Sequence, residues 1–145
     1  MVKTYDPKQV VVTVGNTVIG GFADGTFIKV VRDNDMFKKS SGADGVLSRV
    51  RVNDFSGVIT FTLAQTSPSN DVLSALANTN PGIGGQADVV AININDVITG
   101  SSYATTSAWP KKQAEVEYGK DIANREWAFD AADISFATLG NADSF

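Results

Sequence analysis

The stretch GVITFTLAQT, Gly57–Thr66, constrains this chain more than any other. Apolar and polar residues alternate along it. In a strand Ile59, Phe61 and Leu63 fall on one face, and Thr60 and Thr62 on the other. A helix would scatter the same residues around its axis. A strand of this kind needs an apolar layer against one face and tolerates water on the other, which is the habit of antiparallel sheets. Other segments repeat the demand. QVVVTV, Gly15-Asn16 and TVIGGF read as strand, tight turn and strand. Asp24-Gly25 marks a further turn before FIKVVR, Phe27–Arg32. LSRVRVN, Leu47–Asn53, puts Val50 and Val52 opposite Arg49 and Arg51. ADVVAININD places Val90, Ile92 and Ile94 on one face, and GSSYATTSAWP follows. QAEVEYG sets Glu115 and Glu117 against Val116 and Tyr118. NREWAFDAADISFATL alternates Arg125, Trp127 and Phe129 with Glu126, Ala128 and Asp130.

The period changes once, in TSPSNDVLSALAN. Ser69, Asn70 and Asp71 are good helix starters, and Val72, Leu73, Leu76 and Ala77 follow at helical spacing. NTNPGIGG then ends any helix. The expectation is a single domain over residues 1–145, mainly β. It is a small antiparallel β-barrel or sandwich of about eight short strands, with one short flanking α-helix of about two to three turns and a long inter-strand loop. Val72, Leu73 and Leu76 are expected to pack the helix on the barrel.

Composition narrows the chemistry. At 145 residues the chain is long enough to bury a core, and 43% hydrophobic with 19% charged residues is ordinary for a globular protein. No apolar run approaches the roughly 20 residues of a membrane span, and MVKTYDPKQ lacks the apolar stretch of a secretory signal. The expectation is a soluble chain without membrane anchoring. There is no cysteine and no histidine. Disulfides, thiolate nucleophiles, Cys/His zinc sites and His-based triads are therefore excluded. Carboxylate hydrolysis, Ser-Lys chemistry and oxygen-ligand metals survive that exclusion.

The net charge of −4 is unevenly laid out. Residues 1–60 hold eight Lys/Arg against six Asp; residues 61–110 hold three Asp and no cation; residues 111–145 hold four cations and seven acids. No basic stripe for gripping phosphates is present. The acidic balance reads as a solvated surface, or as one that repels a polyanion or docks on a basic partner.

RDNDMFKKSSGADG, Arg32–Gly45, invites three chemical readings. As an EF-hand loop it fails: the sixth position, which needs glycine, is Lys38, and the twelfth, which needs glutamate, is Asp44. As a phosphate cradle it lacks the G-x-x-x-x-G-K-[ST] order. GNTVIGG is no dinucleotide fingerprint either, because its glycines belong to a hairpin. Glu115/Glu117 and Glu126/Asp130 lie two or four residues apart on single strands, forming rows of like charge and not a carboxylate pair converging across a cleft. What stands out is length. Between Arg32 and Leu47 lie about fourteen residues without a strand or helix pattern, far more than an ordinary hairpin connection. Within it Met36-Phe37 needs an apolar place to rest, on its own domain or on another subunit.

YDPKQVVVTVG, GFADGTFIKV, GADGVLSRVRVND, SGVITFTLAQTSPSNDVLSAL and AEVEYGKDIANREWAFDAAD together resemble a phage structural family, the tail tube proteins of contractile-tailed phages and of tailocins built on the same plan. LAQTSPSNDVLSAL and EYGKDIANREW are the most specific parts. The likeness runs from Tyr5 to about Asp133 and is least clear over 81–108. Such proteins are similar in fold to type VI secretion tube proteins. The resemblance implies a virion subunit assembled in the bacterial cytoplasm, with no enzymatic activity and no cofactor. Its hexameric rings stack into a hollow tube inside a contractile sheath, in contact with baseplate and tail terminator proteins. The tape-measure protein and DNA occupy the lumen transiently.

On that reading Asp33, Asn34, Asp35, Met36, Phe37, Lys38, Lys39, Ser40, Ser41, Gly42, Ala43, Asp44 and Gly45 form an inter-subunit or inter-ring arm. The lumen candidates are Thr60, Thr62, Glu115, Glu117, Glu126 and Asp130, since a negative wall repels phosphates. The competing class is a small β-barrel binding module, such as a capsid-decorating or baseplate protein.

Overall fold

A computed structural model describes residues 4–78 and 89–138. In chain order these residues form β1 (Val10–Val14), β2 (Thr17–Ile19), β3 (Ile28–Arg32), β4 (Phe37–Ser41), β5 (Leu47–Arg51), β6 (Gly57–Ala64), α1 (Ser69–Ala77), β7 (Val90–Asp96), β8 (Ser102–Pro110), β9 (Asn124–Ala131) and β10 (Ser135–Ala137). All pairings between them are antiparallel. One sheet runs in the order β2-β1-β7-β8-β9-β6-β3, with β10 also on β8; β4 and β5 make a separate two-stranded sheet.

The long sheet folds over at β8. That strand holds β10 along Ser102–Ala104 and β9 along Ala108–Pro110, while β9 goes on to pair with β6 over its whole length. The result is sandwich-like, with β2, β1, β7 and β8 facing β9, β6 and β3. The sheet does not close into a barrel: its path ends at β2 and β3, and one isolated bridge, Phe22 to Leu63, links the segment after β2 to β6.

The core is the set of faces the alternation predicts. Ile59, Phe61 and Leu63 of β6 are fully buried, as are Val12 of β1, Ile92 of β7 and Phe129 of β9. The Phe61 and Phe129 rings meet edge-on at 5.8 Å. Each such side chain contributes about 1.5–3 kcal/mol by leaving water.

Helix α1 closes one end. Leu73 is fully buried and Leu76 packs at the core margin. Val72 is exposed, which corrects its expected place on the packing face: one residue from Leu73 is about 100° around the axis, so both cannot face inward. Helix and sheet are tied by a reciprocal pair. Gly20 N donates to Ser69 Oγ at 3.0 Å, and Ser67 Oγ donates to Gly20 O at 2.6 Å. Next to it Gly21 has φ +71°, and a Cβ there would lie 2.5 Å from Ser67 Oγ, so only glycine fits. Asn70 adds a second tie, accepting from Trp127 Nε1 at 3.0 Å and donating to Ala64 O.

Three expectations are revised. The connection from Arg32 to Leu47 contains β4, so it is a hairpin with β5 and not a patternless loop. QAEVEYG is not a strand: residues 113–119 lie outside every ladder and are mostly exposed, so their alternation has no sheet beneath it. The described strands number ten, because β4 and the short β10 carry no pattern that sequence alone reveals. Of the uncertain course of 81–108, residues 89–108 form β7 and most of β8, and 81–88 lie outside the described residues.

Candidate assembly surfaces

Two surfaces carry the residues singled out by sequence. The first is the outer face of β3-β6-β9, where the strand period turns away every second side chain. Thr62 stands opposite Glu126, Thr60 opposite Ala128 and Lys29, and Val58 opposite Asp130. The four candidates Thr60, Thr62, Glu126 and Asp130 thus share one wall. Its potential is tempered: Lys29 projects beside Thr60, and Lys111 Nζ sits 3.9 Å from Asp130. Glu115 and Glu117 are not brought onto this wall by any ladder. They lie in the exposed 111–123 connection, where the Glu115 carbonyl accepts from Arg125 Nη1 at 3.1 Å. At its margin the wall ends at β3, whose second edge pairs with no strand among the described residues.

The second surface is the β4–β5 hairpin. Phe37 pairs with Arg51, Lys39 with Arg49 and Ser41 with Leu47 on one face; Lys38 with Val50 and Ser40 with Ser48 on the other. Every residue of both strands is exposed. The tip is closed by Gly42 N to Val46 O (2.9 Å) and Gly45 N to Gly42 O (3.0 Å), and Val46 N donates to Asp44 Oδ1. Ala43 lies within this turn. Lys39 directly opposite Arg49 is a repulsive pair, and a lone two-stranded hairpin is marginal in water. One internal contact offsets this: the Arg49 guanidinium sits 4.4 Å from the centre of the Phe37 ring. Met36, Val46, Leu47 and Val50 remain uncovered, Leu47 at 67% exposure.

The hairpin continues the β3–β6 ladder. Arg32 pairs with Gly57, Asp33 N donates to Ser56 O, and Val52 N donates to Met36 O. Between the two registers lie four residues on one side, 33–36, and five on the other, 52–56, so a bulge separates arm from sandwich. Polar bonds fasten this root. Asn34 Nδ2 donates to Asp54 Oδ2 at 2.7 Å, Ser56 N to Asp54 Oδ1 at 3.0 Å, and Ser56 Oγ to Asp33 Oδ2 at 3.2 Å. The backbone N–H of Ser56 first, with the Asn34 amide, holds the Asp54 carboxyl below the usual carboxylate range. Asp35 sits beside this cluster in sequence.

Arg32 was not singled out from the sequence. It stacks between Phe55 and Phe136, its guanidinium 5.2 and 4.9 Å from their ring centres, and Nη2 donates to Ile134 O at 2.7 Å. Its buried Nε has no hydrogen-bond partner. Only the coincidence of an arginine at a strand end before a long polar connection could have hinted at it. Close by, Gly57 admits the backbone of β3: a Cβ there would meet Val31 O and Ile134 Cδ1. Among the described residues no three acidic side chains converge on a metal site, and no helix is long and apolar enough to cross a membrane.

A mainly β, antiparallel sandwich with an open edge and a projecting hairpin is the class of structure at hand. The sequence profile described as "Bacteriophage PhiTE tail tube protein" matches residues 10–140, and the chain belongs to this phage tail tube family. It is 27% identical over 144 residues to the "Structural protein ORF10" of Pseudomonas phage KPP10, covering 95% of this chain and 83% of that protein. Among solved structures it is similar to the tube terminating cap of the anti-feeding prophage, with a TM-score of 0.65 at 15% identity over 96% of this chain and 95% of that one. It is likewise similar to the sheath/tube terminator of an extracellular contractile injection system (TM-score 0.64, 14% identity, 94% and 98% covered). A chain from the sheath-tube complex of the same kind of system gives 0.61 at 14% identity, with 94% and 93% covered. At these identities the solved structures show a shared fold.

Proposed function

We propose that this protein is a non-enzymatic structural subunit of the inner tube of a contractile tail. Copies join into six-membered rings, and the rings stack into a hollow conduit for DNA within a sheath. The observation that carries the reading is the second edge of β3, which pairs with no strand among the described residues, at the margin of the polar β3-β6-β9 wall. An open edge is a liability in an isolated sandwich, and in a closed ring each edge finds a neighbour, leaving one continuous wall around the bore. Thr60, Thr62, Glu126 and Asp130 then face the lumen, where few cations and weak net repulsion let a polyanion slide. Asp33–Gly45, now seen as the root and first strand of the hairpin, serves as the arm to an adjacent subunit or ring. Sheath, baseplate, terminator and tape-measure proteins are the partners this role requires.

A second reading is favoured by the likeness to two terminators: the chain ends a tube instead of building one. Negative-stain microscopy of the purified protein separates them. Hollow tubes of uniform bore and variable length support the tube subunit. Single rings that never stack support a terminator, and compact monomers at high concentration refute both.

A further inference from the structure

A cleft of about 710 Å³ opens between the two layers of the sandwich. Its walls include Val10, Ile28, Val30, Ile94, Tyr103 and Phe136, so among the described residues the apolar core runs out to the surface here without a cover. Asp96 is its one charged lining residue among the described residues, and Asp24 adjoins Gly25 at the mouth. The hairpin presents the reverse: apolar Val46, Leu47 and Val50 standing in water, among four cations, Lys38, Lys39, Arg49 and Arg51. The two surfaces match in apolarity and in sign of charge.

The arm cannot fill its own cleft. β3 lines the cleft at Ile28 and Val30 and runs toward Arg32, and the arm carries on in that direction beyond the sandwich. Five residues of strand take its tip roughly 17 Å further. We infer that the cleft receives the arm tip, Val46-Leu47, of a second copy of this chain, with Lys39 and Arg49 on the face of Leu47 turned toward Asp96. The inference rests on the self-assembly proposed above and names where the arm lands.

The chain has no cysteine, so engineered thiols report cleanly. Leu47→Cys and Thr26→Cys, the latter an exposed position at the cleft mouth, are placed on separate chains, mixed, assembled and oxidised. A disulfide forms only if the two positions come within the short Cβ separation it requires. The expected result is a linked pair in the assembled mixture, absent before assembly and absent when Val72→Cys replaces Thr26→Cys. As a second arm, Thr26→Arg adds a cation at the mouth and is expected to raise the concentration needed for assembly at least tenfold. If rings or tubes form while Leu47→Cys links to Val72→Cys or to neither site, the cleft is not the dock, although self-assembly stands. Unchanged assembly of Thr26→Arg overturns the inference too. Failure of the unsubstituted protein to assemble at any concentration overturns the self-assembly proposal along with it.

Discussion

Arg49 and Phe37 meet across the β4–β5 hairpin with the guanidinium 4.4 Å above the ring, on an element that touches water on both faces. The contact steadies the arm without burying it. The apolar residues around it gain their full burial only on association. Met36→Ser with Phe37→Ser removes the ring under Arg49 from the hairpin but touches nothing in the sandwich core, so the melting temperature of the unassembled protein is expected to stay within about 2 °C. Burial of the two side chains contributes roughly 3–6 kcal/mol per arm before ordering costs, so the double variant should need more than tenfold higher concentration to polymerise. Light scattering against concentration checks this, and normal assembly of a folded double variant would sink the arm's role.

The helix offers a sharper contrast between neighbours. Leu73 is fully buried and Val72 is exposed. Leu73→Ala is expected to cost about 2–5 kcal/mol and Val72→Ala under about 0.5 kcal/mol, with Leu76→Ala between them. Urea melts of the three variants read the order directly. Equal losses for Leu73 and Val72 would mean the helix is rotated from the position described.

Acid should loosen the arm at its root. Asp54 titrates below its unfolded value because its charged form accepts from Ser56 and Asn34. The resulting support is fully present above the unfolded carboxylate value and is lost as pH falls through the lowered folded one. Amide exchange at Ser56, corrected for its intrinsic pH dependence, is expected to lose protection on acidification, and Asp54→Asn should abolish that step. A step that persists in Asp54→Asn assigns it to another group.

The bore can be tested by reversing its charge. Glu126→Lys with Asp130→Lys leaves the core faces of β9 untouched, so tubes should form if the wall is assigned correctly. Each new lysine adds a phosphate contact, and genome release measured in vitro is expected to slow, more at low salt than at high. Normal release with weakened sheath attachment would place this face on the outside of the tube.

Legibility in the sequence followed burial. The inward residues of β6, β7 and β9 were readable because one face of each strand lies on the core and its alternation is enforced. FKKSS was not readable as β4, since a strand wet on both sides has no reason to alternate. QAEVEYG erred the other way: it alternates with nothing beneath it. Helical spacing located α1 and included Leu73, but four apolar residues within six positions span too wide an arc to show which one stays outside. Arg32 escaped notice because its partners, Phe55, Ile134 and Phe136, are distant in sequence and meet only in the fold.

The register bulge at the arm root has a mechanical side. Both strands of the hairpin lead back into the sandwich side by side, as β3 and β6. A pull on the tip therefore tugs β3 and β6 in the same direction and does not unzip one from the other. The load passes to the ladder between β6 and β9, whose eight register pairs lie along the line of force and resist together. The bulge supplies slack, because 33–36 and 52–56 can straighten before the ladder is strained. In the tube proposed above, driven end-on by a contracting sleeve, that arrangement would make the root a shock absorber and β9 the anchor.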